Sequence, residues 1–325
     1  MSTSRHSACA RADGTALLCD NPHLGRVLLL VVIVVVSVVA GTAGALPSRD
    51  LAAYEGLATW LDIYDHAEWR APDAAVQDMA AHGVRTLLLE TGNSHQAVDV
   101  VRPRQLGGLV DAAHAAGLRV VAWYLPTLLY PARDLRRVLA AVHFTTPAGG
   151  HFDSFALDIE ASDVRAVTLR NTRLTALAAA LRAAVGGGYA LGAIVPSAVG
   201  MERHPKYWPR FPYTELAQSF DVFLPMAYST YRVRGRALSA RYVMRSVALL
   251  REAAGGDVPV NVIGGIANRM GPSETAGFMD AVARCGLIGY GLYDFPITTG
   301  AAWRALAKPP PAPASPAACS APPIA

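Results

Sequence analysis

Short apolar runs alternate with longer amphipathic stretches along most of this chain. Runs at 57–63, 84–90, 118–125, 155–160, 189–196, 221–228, 258–265 and 287–295 are rich in Leu, Val, Ile and aromatic residues, and predict strands. Between them, helix-forming stretches cover 72–82, 103–116, 132–144, 163–185, 213–219, 239–254, 272–285 and 300–307. Pro72, Pro103 and Pro272 suit a first helical turn, and Gly83, Gly117 and Gly286 suit helix stops. Strict alternation of strand and helix predicts an α/β fold, a (β/α)8 TIM barrel formed as a single domain over 51–307. A doubly wound open sheet is the rival, but neither G-x-G-x-x-G nor a Walker pattern is present.

The two ends depart from this pattern. Residues 27–40 are almost wholly Leu, Val and Ile, with Arg5, Arg11 and Arg26 before them and Ala43-Gly44-Ala45 after. Residues 1–45 therefore read as a leader holding either a secretory signal cleaved near Ala45 or an uncleaved membrane anchor. Both readings put the barrel outside the cytoplasmic membrane, secreted or anchored to its outer face. Residues 308–325 are mostly Pro and Ala and predict a disordered tail. Cys319 lies in that tail, so no structural disulfide with Cys285 is expected.

The 325-residue chain has a formal charge of only +4, with its Arg residues scattered, so it carries no nucleic-acid footprint. The expected state is a monomer that touches membrane only through the N-terminal apolar segment.

In such barrels chemistry sits at the C-terminal ends of the strands. Residues 152–160 read F-D-S-F-A-L-D-I-E. Alternation along a strand sends Phe155, Leu157 and Ile159 to one face and Ala156, Asp158 and Glu160 to the other. Two acids on one face of a buried strand are costly unless paired, wetted or used. Other strand ends offer Asp62 and Asp65, Glu90, Tyr124, Met226 with Tyr228, and Tyr293 with Asp294. Reading Ala122 and Tyr124 as inward sends Trp123 toward the helices. Trp208, beside Tyr207 in the loop after the fifth strand, is the best groove candidate among the tryptophans. The histidines lack H-x-x-x-H spacing, and no metal or organic cofactor is expected.

Carboxylates among aromatic rings suit glycosyl transfer. Sugars stack on ring faces, and bond cleavage needs an acid held protonated by burial or a neighbouring carboxylate. The run Asp153-Ser-Phe-Ala-Leu-Asp158-Ile-Glu160 resembles the D-x-x-D-x-D-x-E signature of family 18 glycoside hydrolases, the chitinase-like barrels. Leu224-Pro225-Met226-Ala227-Tyr228 resembles that family's M-x-Y motif. The resemblance implies Glu160 as proton donor, Asp158 as orienter of the substrate's acetamido group, and Tyr228 as hydrogen-bond donor to the acetamido oxygen. It also implies Tyr293 where the family usually has a tryptophan floor. Asp62, Glu90, Tyr124, Met226 and Trp208 complete the expected substrate-binding set. One departure stands out: Ala156 replaces the signature's middle aspartate.

The functional expectation is a glycoside hydrolase acting on an N-acetylhexosamine-containing polysaccharide or glycan by acid/base catalysis. The alternatives are a barrel hydrolase of another glycan, with Glu90 or Asp62 as second carboxylate, and a non-catalytic carbohydrate-binding cell-surface protein.

Overall fold

A computed structural model describes residues 49–308 and Cys319. The leader with its apolar segment, and the Pro/Ala tail apart from Lys308 and Cys319, lie outside the described residues. Among the described residues no helix is long and apolar enough to cross a membrane.

Eight parallel strands close into a barrel in chain order. They are β1 (Gly56–Leu61), β2 (Thr86–Asn93), β3 (Arg119–Leu125), β4 (Ser154–Asp158), β5 (Leu191–Pro196), β6 (Val222–Met226), β7 (Asn261–Ile266) and β8 (Gly289–Tyr293). Pairing of β1 with both β2 and β8 closes the sheet. Every predicted strand and helix is present, with ends shifted by a few residues. Pro72, Pro103 and Pro272 open their helices, and Gly83, Gly117 and Gly286 follow helices with positive φ. Two short helices, His66–Arg70 and Ala198–Arg203, are too brief to show a helical period in sequence.

Closure buries both faces of each strand, giving two apolar layers. Phe155, Leu157 and Ile159 of the fourth strand segment join the outer layer under the helices, while Ala156 belongs to the inner one. On β3 the expected parity is reversed. Val121 and Trp123 fill the interior, and Val120, Ala122 and Tyr124 pack under the helices. Hydrophobicity cannot set parity where both faces are dry. Register does: Trp123 lies between Glu90 of β2 and Ala156 of β4.

Tyr54 plugs the N-terminal end of the barrel. Its hydroxyl donates to the Phe155 carbonyl at 2.9 Å and accepts from Ser154 Oγ at 2.7 Å. Asn261 is buried there and donates to the Tyr54 carbonyl at 2.8 Å. The plug needs small neighbours: a Cβ on Gly192 would stand 2.7 Å from the Tyr54 hydroxyl.

The expectation of no structural disulfide is overturned. Cys285 and Cys319 are bonded, with Cα atoms 4.4 Å apart and both residues buried. Composition marks the tail as unable to form a core. It does not reveal that Cys319 meets Cys285, the residue that caps helix Pro272–Arg284.

The bond closes a loop across a sequence separation of 34 residues, for which the chain-entropy account gives about 3–4 kcal/mol. Cys319→Ser is expected to lower the unfolding free energy by up to that amount. Denaturant melts of the oxidised, reduced and substituted proteins check this, and the last two should coincide.

Candidate active site

The C-terminal ends of the strands surround a cavity of about 280 Å³. Its floor is aromatic. Trp60 meets Trp123 edge-on at 6.0 Å between ring centroids, and meets Tyr293 at 6.2 Å. Four carboxyl groups line it, those of Asp62, Glu90, Asp158 and Glu160, together with Met226 and Tyr228. No Lys, Arg or His is among the lining residues.

Alternation places the central pair. Asp158 ends β4, and Ile159 N donates to the Ile194 carbonyl at 2.8 Å, which holds the chain beside β5 for one more residue. Glu160 therefore returns to the inner face. Asp158 is only 6% exposed, and its Oδ1 has no hydrogen-bond partner among the described residues. Burial pushes its carboxyl well above the usual aspartate range, and the carboxyls of Glu160 and Glu90 push it further. Burial also raises Glu160. Tyr228 is raised by burial and then by the Asp158 and Glu160 carboxyls, so its hydroxyl stays a proton donor.

The other two acids are committed. Glu90 accepts from Ile63 N through Oε2 and from Asn93 Nδ2 through Oε1, each at 3.0 Å. Burial dominates these bonds and lifts its carboxyl to about 7. Asp62 accepts from Tyr64 N at 2.6 Å and from the Tyr293 hydroxyl at 2.9 Å. Asp158 and Glu160 are thus the two cavity carboxyls free to meet a ligand.

Two sequence expectations are corrected here. Tyr124 is not in the cavity. Its hydroxyl donates to Asp134 Oδ1 at 2.8 Å on helix Pro131–Val142, because β3 parity turns it outward. Trp208 is not a groove residue. It is 3% exposed, donates from Nε1 to Asn171 Oδ1 at 2.7 Å, and lies under the Arg170 guanidinium at 4.0 Å. It pins its loop to helix Val167–Val185, an apolar anchoring role that composition cannot tell from ligand stacking. Its neighbour Tyr207 faces the site, and the Tyr207 hydroxyl donates to the Glu160 carbonyl at 2.6 Å.

Asp153, the first acid of the strand-four run, is structural. Its carboxyl accepts from Val120 N at 2.8 Å and from Arg119 at 2.9 Å, and pairs with His114 at 2.9 Å. Asp62, Asp65 and Asp294 form the one grouping at metal-ligand spacing among the described residues, with oxygens within 4.8 Å of one another. Asp62 and Asp65 already serve local hydrogen bonds there, Asp65 accepting from Asp62 N at 2.8 Å.

Sequence reasoning missed a second cavity of about 480 Å³. It shares Glu160, Met226 and Tyr228 with the first and is lined further by Ser197, His204, Arg232 and Tyr242, among others. Its residues come from loops after β5 and β6 and from helix Arg236–Ala254, so no single run of sequence announces it.

No protein-family model matches the sequence, and no curated protein matches it. Solved structures do resemble its fold. The spore cortex-lytic enzyme SleL of Bacillus cereus aligns with a TM-score of 0.57 at 9% identity, over 78% of this chain and 73% of that one. A chitinase from Chromobacterium violaceum aligns with a TM-score of 0.52 at 13% identity, over 78% of this chain and 98% of that one. The endo-beta-1,4-mannanase of Thermotoga petrophila gives 0.55 at 9% identity, over 74% and 68%. This chain has the TIM-barrel fold of these glycoside hydrolases.

The buried Glu90 gives folding a pH dependence of definite sign. Its folded value of about 7 lies above the ordinary 4.5, so the folded state holds a proton that the unfolded state has lost. That contribution is fully present below about pH 4.5 and is lost as pH rises through about 7. It amounts to at most about 3 kcal/mol. Glu90→Gln is expected to flatten the fall in stability between pH 4.5 and 8 in urea melts.

Proposed function

We propose that this chain is an exported glycoside hydrolase that cleaves an N-acetylhexosamine-containing glycan, with Glu160 as acid and base. One observation carries the reading: Glu160 lies in the wall shared by the two cavities, beside the buried, hydrogen-bond-free oxygen of Asp158. A glycan crossing that wall would set its scissile bond against Glu160, with one sugar over the Trp60, Trp123 and Tyr293 floor and the next in the larger cavity. The glycoside-hydrolase fold agrees with this. The disulfide and the leader support export, since disulfides persist in oxidising compartments.

The chemistry follows from the free groups. The substrate's acetamido oxygen attacks the anomeric carbon as Glu160 protonates the departing glycosidic oxygen. Asp158 accepts the acetamido N–H and stabilises the positive charge that develops. The Tyr228 hydroxyl donates to the acetamido oxygen. Water then attacks the anomeric carbon and gives its proton to Glu160, restoring the acid, while the bond from that carbon to the acetamido oxygen breaks and its electron pair restores the acetamido group. This substrate-assisted route needs no second carboxylate nucleophile. The hydrogen bonds already made by Glu90 and Asp62 favour it over a two-carboxylate route.

Glu160→Gln keeps the shape and removes the ionisable proton. Turnover on an N-acetylated glycan is expected to fall roughly 10²–10⁴-fold, with the thermal melt preserved. Tyr228→Phe should cost less. Full activity of Glu160→Gln would reject the assignment.

Ala156→Asp tests the mechanism separately. It restores a third acid below Asp158, and turnover on the same glycan should hold or rise. A folded Ala156→Asp protein with lost activity would favour another hydrolase chemistry.

A further inference from the structure

The two cavities differ in charge. The first holds four carboxyl groups and no cation. The second holds a single carboxyl, that of Glu160 in the shared wall, and its lining also includes His204 and Arg232. These two come from neighbouring strand ends. His204 caps the short helix Ala198–Arg203 after β5, and Arg232 lies four residues beyond Tyr228 after β6.

Both side chains are exposed, and they meet each other at the cavity. Arg232 Nη1 lies 3.4 Å from His204 Nε2. The turn behind Arg232 is fixed by bonds from Arg232 N and Val233 N to the Ser229 carbonyl, at 3.0 and 3.1 Å. Tyr231, inside that turn, has a φ of 65°, a region that non-glycine residues seldom occupy. Nearby arginines are spent on acids, Arg245 on Glu202 and Arg236 on Asp280. Arg232 has no carboxylate partner among the described residues. The hydroxyls of Ser197 and Tyr242 bond to each other at 3.2 Å, and Ser197 also meets Ser246 at 2.9 Å, so that wall is neutral and already satisfied. Among the described residues lining this cavity, the Arg232 guanidinium is the one permanent positive charge.

We propose that the second cavity selects a leaving-group sugar bearing a carboxylate, received by the Arg232 guanidinium with His204 orienting it. This rests on the reading of Glu160 given above. An Arg fork matches a carboxylate in two parallel hydrogen bonds, and such charge-assisted bonds are about twice as strong as neutral ones. A neutral sugar would leave the guanidinium facing water and gain little from it. The carboxylate could belong to a uronic acid ring or to an acidic ether substituent on a hexosamine. The chemistry is shared, and the position of the charge differs.

The test uses oligosaccharides in which N-acetylglucosamine alternates with glucuronic acid or with N-acetylmuramic acid, each paired with its carboxyl-reduced alcohol. The wild-type protein is expected to favour an acid form over its alcohol by about tenfold or more in kcat/KM, mostly through KM. Raising the salt should shrink that ratio, because the guanidinium is partly exposed to solvent. Which acid series shows the ratio identifies the source of the carboxylate. Arg232→Gln is expected to bring the ratio close to one, and Arg232→Lys to restore part of it. Equal use of acid and alcohol forms by the wild type, or a ratio unmoved by Arg232→Gln, overturns the proposal. Calorimetry on Glu160→Gln separates this failure from failure of the catalytic reading. Acid-form binding that depends on Arg232 supports the charge selection even if nothing is cleaved, and binding indifferent to Arg232 rejects it.

Discussion

The interior of this barrel is a stack in which each level fixes the one above. Tyr54 enters from the N-terminal end and ties β4 to its own turn through the Phe155 carbonyl and Ser154, while Asn261 of β7 holds its backbone. Gly192 leaves room for its ring. Above it the inner layer of Ala156, Trp60, Trp123 and Ile194 closes the middle of the barrel. The carboxyl groups then sit on a dry, filled base. This is why burial, rather than any single partner, is the leading cause of the raised values of Asp158, Glu160 and Glu90.

Ala156 acquires a meaning from this stack. It lies in register between Trp123 on β3 and Gly192 on β5. A Trp on one side and a glycine on the other flank the level that a third acid would occupy in the strand-four signature. Asp158 is left with an oxygen that has no partner among the described residues and with Glu90 as a carboxyl neighbour from two strands away. An unpaired buried carboxyl oxygen is unfavourable for folding. It is also a group prepared to receive a donor from a ligand.

Charge is distributed along the cleft as unevenly as shape. One cavity combines an aromatic floor with four carboxyl groups, of which burial raises those of Asp158, Glu160 and Glu90, and the other combines apolar and hydroxyl walls with a single guanidinium. The strand ends supply the first set, and the loops after β5 and β6 supply most of the second. Strand ends hold the first set in rigid positions, whereas the second set rides mostly on loops, the part of a barrel whose sequence is freest to vary.

The barrel was legible in the sequence, because strand and helix periods, prolines at helix starts and glycines after helix ends are local signals. The sequence also determined the facing of Asp158 and Glu160, because Phe155, Leu157 and Ile159 are too bulky and apolar to exchange faces with two acids. Tertiary structure decided the rest. It chose Trp123 over Tyr124 for the interior, since an apolar strand buried on both sides has no preferred parity until its neighbours set the register. It turned Trp208 into an anchor and Tyr207 into a cavity wall, since an aromatic ring reads the same in sequence whether it packs on Arg170 or on a ligand. It joined Cys285 to Cys319, and it brought His204 to Arg232, because both pairings are made by chain paths that close only in three dimensions.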